Sequence, residues 1–294
     1  MKRRTVGALL VLVASAGFGT LAIFAKFAER AGLNTTTLLS FRFLVGTALL
    51  WVGLAAWGRF RVLQGRKLGV ALALGTLYAV FSALFFWGLL YVPAGVAGLT
   101  FYTFPVYVYV ISVTLLDEQL SGRKLVALAV TLFGVGLIVG GDVSGVDPFG
   151  VTLVLLAALG YAGYITGNRA ALASIDADVL AATAMVATTL SFLAFGLASG
   201  RLFVPGRTDQ WAVVLGIAVV GTALPVFLYV SGLQRIEASS ASVVSTSEPV
   251  VTVLLGVLLL GEVLTPAVAV GGGLVLTGVV LVQTDDRDDI PAPQ

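Results

Sequence analysis

The stretch from Ser239 to Val251 reads SSASVVSTSEPVV: five serines, a threonine, a glutamate and a proline in an otherwise apolar chain. Hydroxyls can solvate a polar guest, and a carboxyl placed among apolar segments is costly enough to be paired or functional. Three roles fit Glu248: accepting a substrate ammonium, carrying a coupling proton, or bracing Arg42 or Arg169. Arg42, in LLSFRFLVG, can hold a carboxylate in its planar fork, snorkel toward an interface, or pair with an acid. Helical spacing lines up Ser239, Ser242, Ser245/Thr246, Pro249 and Gly256 on one stripe. The stripe reads as close helix packing or as a cavity wall, and six hydroxyls within residues 239–247 favour the wall. An aromatic wall is available opposite it in Tyr78, Phe101, Tyr102 and Tyr161, with Asn168 nearby. Together they suit an amphipathic guest such as an amino acid or amine. Pro105 and Pro249 each remove a backbone donor and are expected hinges.

The elements that must carry these residues follow from composition. Of 294 residues, 59% are hydrophobic and 11% charged, where a soluble domain holds about a quarter charged. The chain is expected to be an all-α integral membrane protein, crossing near 5–27, 35–57, 68–91, 94–115, 122–140, 148–171, 178–199, 209–231, 237–260 and 265–283. Lys2-Arg3-Arg4 followed by Ala14-Ser15-Ala16 imitates a cleaved signal, but the apolar run continues through Phe27 and is expected to stay as the first helix. With no cysteine and no histidine, disulfides, Cys/His metal sites and Cys/His catalytic pairs are excluded. No cofactor or metal is expected, and no GxxxxGK[ST] offers an ATP site. Placing the N-terminus in the cytoplasm puts twelve Lys and Arg on that side. Lys26, Arg30, Arg201 and Arg207 fall on the other, and Arg42 within a helix. Both termini are therefore expected to be cytoplasmic.

Residues 92–139 set on 236–283, at an offset of 144, match at 14 of 48 positions, with Pro105 on Pro249 and Glu118 on Glu262. The expected organisation is a first repeat over 1–141, a second over 142–284, and a disordered cytoplasmic tail over 285–294. Five helices per repeat is an odd number, so the second copy enters the membrane inverted. Inverted repeats are a signature of secondary transporters with a midplane site. Glu118 and Glu262, beside Ser121 and Thr265, read as N-terminal features of the helices that follow them. Lys26 and Arg169 end matched helices, where snorkelling explains them. An enzyme would need a nucleophile with a base or a metal, and a channel a ring of like residues; neither pattern is written here.

Segments 247–282 (SEPVVTVLLGVLLLGEVLTPAVAVGGGLVLTGVVLV) and 104–139, with SFRFLVG at 40–46, resemble the EamA-type transporters of the drug/metabolite transporter superfamily. The resemblance implies a ten-helix basket whose fourth and ninth segments line a central cavity. It also implies export or exchange of amino acids, other small metabolites or drugs. The expected function is a secondary transporter of the cytoplasmic membrane that exports small amphipathic metabolites, amino acids or related amines, by alternating access. A proton-coupled exporter of cationic compounds is the alternative. Expected partners are a small-molecule substrate and membrane lipids, not nucleic acid, with the chain a monomer or weak dimer.

Overall fold

Lipid offers the backbone no hydrogen-bond partners, so apolar segments of this kind must satisfy themselves as helices. A computed structural model describes residues 3–104, 106–108, 110–111, 122–140, 145–172, 174–233, 235, 244–245 and 247–288; these residues are helical or in turns and loops, with no strand. The helices are α1 (Arg3–Gly19), α2 (Leu21–Arg30), α3 (Thr35–Ala56), α4 (Gly65–Gly88), α5 (Ala94–Phe101) and α6 (Gly122–Gly140) in the first half. The second half holds α7 (Pro148–Ala171), α8 (Ala177–Ala198), α9 (Thr208–Ala218), α10 (Leu224–Leu233), α11 (Ser247–Leu255) and α12 (Pro266–Asp288). A π-turn, Val219–Ala223, joins α9 to α10, and another, Gly256–Leu260, follows α11. Among the described residues, six stretches are long and apolar enough to cross a membrane: Thr5–Arg30, Thr35–Ala56, Gly65–Gly88, Pro148–Asn168, Ala177–Ala198 and Thr208–Tyr229. Shorter apolar helices occupy the fourth, fifth, ninth and tenth segments. Aliphatic residues face outward, Leu258 and Val263 at 75% and 78% exposure, as suits a multi-pass protein bathed in lipid. The last helix reaches Asp288, four residues into the stretch expected to be an unstructured tail.

Exchanging the two halves maps the packing onto itself. The halves meet where α6 lies on α12, α3 on α8, and α5 on α11. The pair α4–α7 corresponds to α10–α1, and α5–α7 to α11–α1. At the α6–α12 crossing the match extends to atoms. A methyl group on Gly134 would lie 2.6 Å from the Gly271 carbonyl oxygen and 3.0 Å from the Val275 nitrogen. One on Gly278 would lie 2.7 Å from the Ala127 oxygen and 3.2 Å from the Thr131 nitrogen. Each residue in the first set differs from its counterpart by 144. Position falls on one helix as it rises on the other, so the two helices run antiparallel.

The first segment is broken at Thr20, whose hydroxyl bonds back to the Gly17 carbonyl at 2.6 Å. Bare glycine surfaces here let α1 approach its neighbours: a methyl on Gly19 would stand 3.0 Å from the Glu248 carbonyl oxygen. The Thr252 hydroxyl donates to the Gly19 carbonyl at 3.0 Å, tying α11 to the break. Loop ends are capped as their residue types dictate. Asn34 accepts from the Thr37 N–H at 2.7 Å, and Asp147 from the Phe149 N–H at 2.8 Å.

Two charged residues behave differently from expectation. Lys26 does not simply snorkel: its ammonium donates to the Leu89 carbonyl at the end of α4, where a cation meets the negative end of the helix. Glu262 does not cap the helix after it. Gly261 takes a left-handed conformation (φ 71°) that turns the chain back. The Glu262 carboxylate then accepts the Ala94 N–H at 2.6 Å and the Gly95 N–H at 3.0 Å. It thus caps α5 of the opposite half, whose own N-cap, Pro93, has no side-chain acceptor. The helix that follows is served by the Thr265 hydroxyl, which accepts the Val268 N–H at 3.3 Å. Glu118 lies outside the described residues, as does the Arg169 side chain. Glu262→Ala leaves two N–H groups without their acceptor, and is expected to cost about 1–3 kcal/mol. Thermal melting of the detergent-solubilised protein checks this; an unchanged melting temperature would refute it.

Candidate functional site

The aromatic candidates converge. Tyr78 and Phe81 of α4, Tyr161 and Tyr164 of α7, and Phe101 at the end of α5 form one connected wall. Ring centroids lie 4.6 Å apart for Tyr78–Phe81, 5.1 Å for Tyr78–Tyr164 and 5.2 Å for both Phe81–Tyr161 and Phe101–Tyr161. Phe104 joins it at 4.8 Å from Tyr161 and 5.3 Å from Tyr102. Bulky rings suit the gap between α4, α5 and α7 because offset and edge contacts add to their burial. The wall therefore belongs to the first half and α7.

Tyr102 points across the halves. It is 3% exposed, and its hydroxyl donates to the Ser245 carbonyl ahead of α11. Ser245 also interacts with the phenol of Tyr229 on α10. Tyr102→Phe removes that bond, at an expected cost of about 0.5–1.5 kcal/mol. A melting temperature equal to wild type would count against this bond.

Glu248 sits in the first turn of α11 beside buried Pro249. Proline has no N–H to give the Ser245 carbonyl one turn back, and the Tyr102 hydroxyl donates there instead. Its electrostatic neighbours are four phenols, Tyr78, Tyr102, Tyr161 and Tyr229. No cation pairs with it among the described residues. In particular it is not braced by Arg42. That arginine, in α3, is 1% exposed. Its Nε donates to the Thr222 hydroxyl at 2.9 Å, and its guanidinium lies 4.7 Å from the Phe43 ring centroid and 5.2 Å from that of Phe86. Tyr78 interacts with both charges, so acid and base share a phenol without touching.

Asn168 stands apart: its amide donates to the Tyr164 carbonyl one turn back at 2.8 Å and is engaged within its own helix. Ser242, Thr246 and Pro105 lie outside the described residues. Sequence reasoning passed over Tyr229 and Thr222, and left Phe81 and Tyr164 out of the candidate wall. Phe81 and Tyr164 stand three residues after Tyr78 and Tyr161, in YAVF and YAGY, which was the available signal. Thr222 is placed by the π-turn, because Pro225 has no N–H to give the Gly221 carbonyl and the Thr222 hydroxyl bonds the Ile217 carbonyl at 2.9 Å. A separate cleft of about 650 Å³ opens beside α2 and the end of α4, lined by Lys26, Asn34, Trp87, Tyr91 and Arg201 among others. It contains none of the sequence candidates.

This cluster of side chains can therefore offer a carboxyl, phenol hydroxyls and ring faces to one guest, a combination that suits an ammonium group on an apolar stem. Comparisons with known proteins agree with a carrier. The model of the EamA-like transporter family matches residues 5–140 and again 148–284. An uncharacterized transporter of Archaeoglobus fulgidus is 28% identical over 93% of this chain and 97% of its own. The threonine/homoserine exporter RhtA of Escherichia coli K12 is 30% identical over 76% of this chain and 74% of its own. A probable terminal-alkyne amino-acid exporter of Streptantibioticus cattleyicolor is 25% identical over 72% of each. A crystal structure matches 97% of this chain and 98% of its own with a TM-score of 0.69 at 19% identity, which speaks to the fold alone.

Proposed function

Because the chain belongs to the EamA-like transporter family, we propose that it is a secondary transporter of the cytoplasmic membrane that exports an amino acid or related amine. The observation that carries this reading is Glu248: a carboxylate set among four phenols, with no cation bound to it among the described residues. A buried acid with no cation beside it is neutralised by a proton or by an incoming cation, and a primary ammonium is the small metabolite group that can supply that cation. The printed names of RhtA and of the Streptantibioticus exporter support the amino-acid class.

In this reading ten spans form two inverted five-helix repeats, 1–141 and 142–284, with both termini cytoplasmic. The antiparallel α6–α12 crossing supports a two-fold axis in the membrane plane. Rocking of the halves would expose the chamber to each side in turn. Tyr78, Phe101, Tyr102 and Tyr161 form the aromatic wall, Ser242, Ser245 and Thr246 the hydroxyl wall, and Pro105 and Pro249 the hinges. The working unit is a monomer or weak dimer, its partners the substrate and lipid, with no part for nucleic acid.

Purified protein in liposomes should take up a labelled amino acid from a panel that includes threonine, with flux that saturates and is competed by unlabelled substrate. Flux that never saturates would indicate a channel and refute the carrier. The same unpaired Glu248 favours one other reading, a proton-coupled exporter of cationic compounds. Everted vesicles that accumulate an organic cation only under a proton gradient, and ignore amino acids, would select it.

A further inference from the structure

We infer that Arg42 receives the substrate's carboxylate, so that the cargo is a free zwitterionic amino acid and not an amine alone. The inference rests on the reading of Glu248 as an ammonium site. A buried guanidinium in a membrane protein is ordinarily neutralised by an acid or by several backbone carbonyls. Arg42 has neither. Its Nε meets a neutral hydroxyl on Thr222, two phenyl rings flank it, and the buried Nη1 has no hydrogen-bond partner at all. The Tyr78 phenol hydrogen-bonds with it, and among the described residues no carboxylate pairs with it. A cation so placed is costly to bury, and the missing anion is what would offset that cost.

The surroundings orient the group toward a guest. The Thr222 hydroxyl accepts from Nε while its own proton goes to the Ile217 carbonyl across the π-turn, so Nε is fixed and Nη1 is left over. Arg42 belongs to the first half and Thr222 to the second, so a rocking motion of the halves parts them and opens the guanidinium to the chamber. Tyr78 is neighbour to both Arg42 and Glu248. A zwitterion satisfies both charges at once. An amine lacking the carboxylate leaves Arg42 uncompensated, and sites with buried polar groups reject analogues that leave them unpaired.

The test compares L-threonine, threoninol (carboxylate replaced by hydroxymethyl) and 3-hydroxybutyrate (ammonium replaced by hydrogen) as competitors of labelled threonine exchange in liposomes. Binding to the detergent-solubilised protein is followed in parallel by calorimetry. Wild type, Arg42→Lys and Arg42→Gln are used. Wild type is expected to prefer threonine over threoninol by on the order of 100-fold. Arg42→Gln should lose about tenfold or more for threonine while leaving threoninol unchanged, and Arg42→Lys should fall between. Equal affinity of wild type for threonine and threoninol would overturn the inference while leaving the ammonium site standing. So would an Arg42→Gln variant that loses both compounds alike, since that is what a purely structural brace would do. Should that variant fail to fold, the wild-type preference and Arg42→Lys decide. If 3-hydroxybutyrate matches threonine in wild type and depends on Arg42, the ammonium reading fails and the carboxylate site survives. Failure of all three compounds to bind overturns both.

Discussion

Glu248→Gln is expected to abolish useful transport while leaving the fold intact. Glutamine keeps the size and shape of the side chain and can still accept a hydrogen bond, so the turn at the start of α11 has no reason to change. What disappears is the charge. A charge-assisted contact to an ammonium is worth about 1.5–3 kcal/mol, on the order of 10- to 150-fold in affinity. The loss should be at the upper end, because the surrounding phenols and rings offer little else to compete for the cation. The measurement is exchange in liposomes, with melting temperature as the check on folding. Exchange and gradient-driven accumulation separate the two roles open to the carboxyl. A substrate ligand, once neutralised, loses both. A coupling acid, once neutralised, keeps exchange of substrate for substrate and loses accumulation against a proton gradient. A variant that transports as well as wild type would remove Glu248 from the site and leave the hydroxyl wall as its core.

How far the sequence foretold this depends on whether a contact is local or crosses the halves. The helices were legible because apolar runs of membrane length leave the backbone no other option. The aromatic wall was legible in part. Tyr78, Phe101, Tyr102 and Tyr161 lie on segments that resemble a known architecture, and their convergence needs only adjacent helices of the first half with α7. Glu262 shows the limit. Its position beside Thr265 suggests a local cap, and the local cap exists, but Thr265 provides it. The carboxylate instead serves Ala94 and Gly95, 168 and 167 residues away in the chain, because Gly261 turns it back. Arg42 shows the same limit in reverse. Chain composition suggested Glu248 as its partner, whereas the hydroxyl it meets is set by a π-turn that depends on Pro225. Asn168 failed for a third reason. Its polarity marked it, yet an amide one turn above a backbone carbonyl can be satisfied within its own helix.

The repeat itself yields the other large effect. Gly134→Val should destabilise the protein severely, and Gly136→Val, two residues along the same helix, should hardly be felt. At Gly134 a side chain meets the Gly271 carbonyl oxygen and the Val275 nitrogen of α12, both backbone atoms that cannot rotate away. The helices would have to separate along their whole crossing, giving up the close contact that holds them in lipid. Overpacking of this kind costs about 1–3 kcal/mol where the surroundings can shift and more where backbone opposes backbone. Gly136 meets nothing within 4 Å. Gly278→Val should match Gly134→Val, or exceed it, since the Thr131 hydroxyl also stands in its way. Thermal melting and size-exclusion profiles of the three variants are the readout. Equal and large losses at Gly134 and Gly278, with Gly136 near wild type, are what an antiparallel crossing about a two-fold axis requires. A tolerant Gly278 beside an intolerant Gly134 would mean that the halves do not meet as equivalents there. The support this crossing lends to inverted repeats, and so to a chamber opened by rocking them, would then be withdrawn.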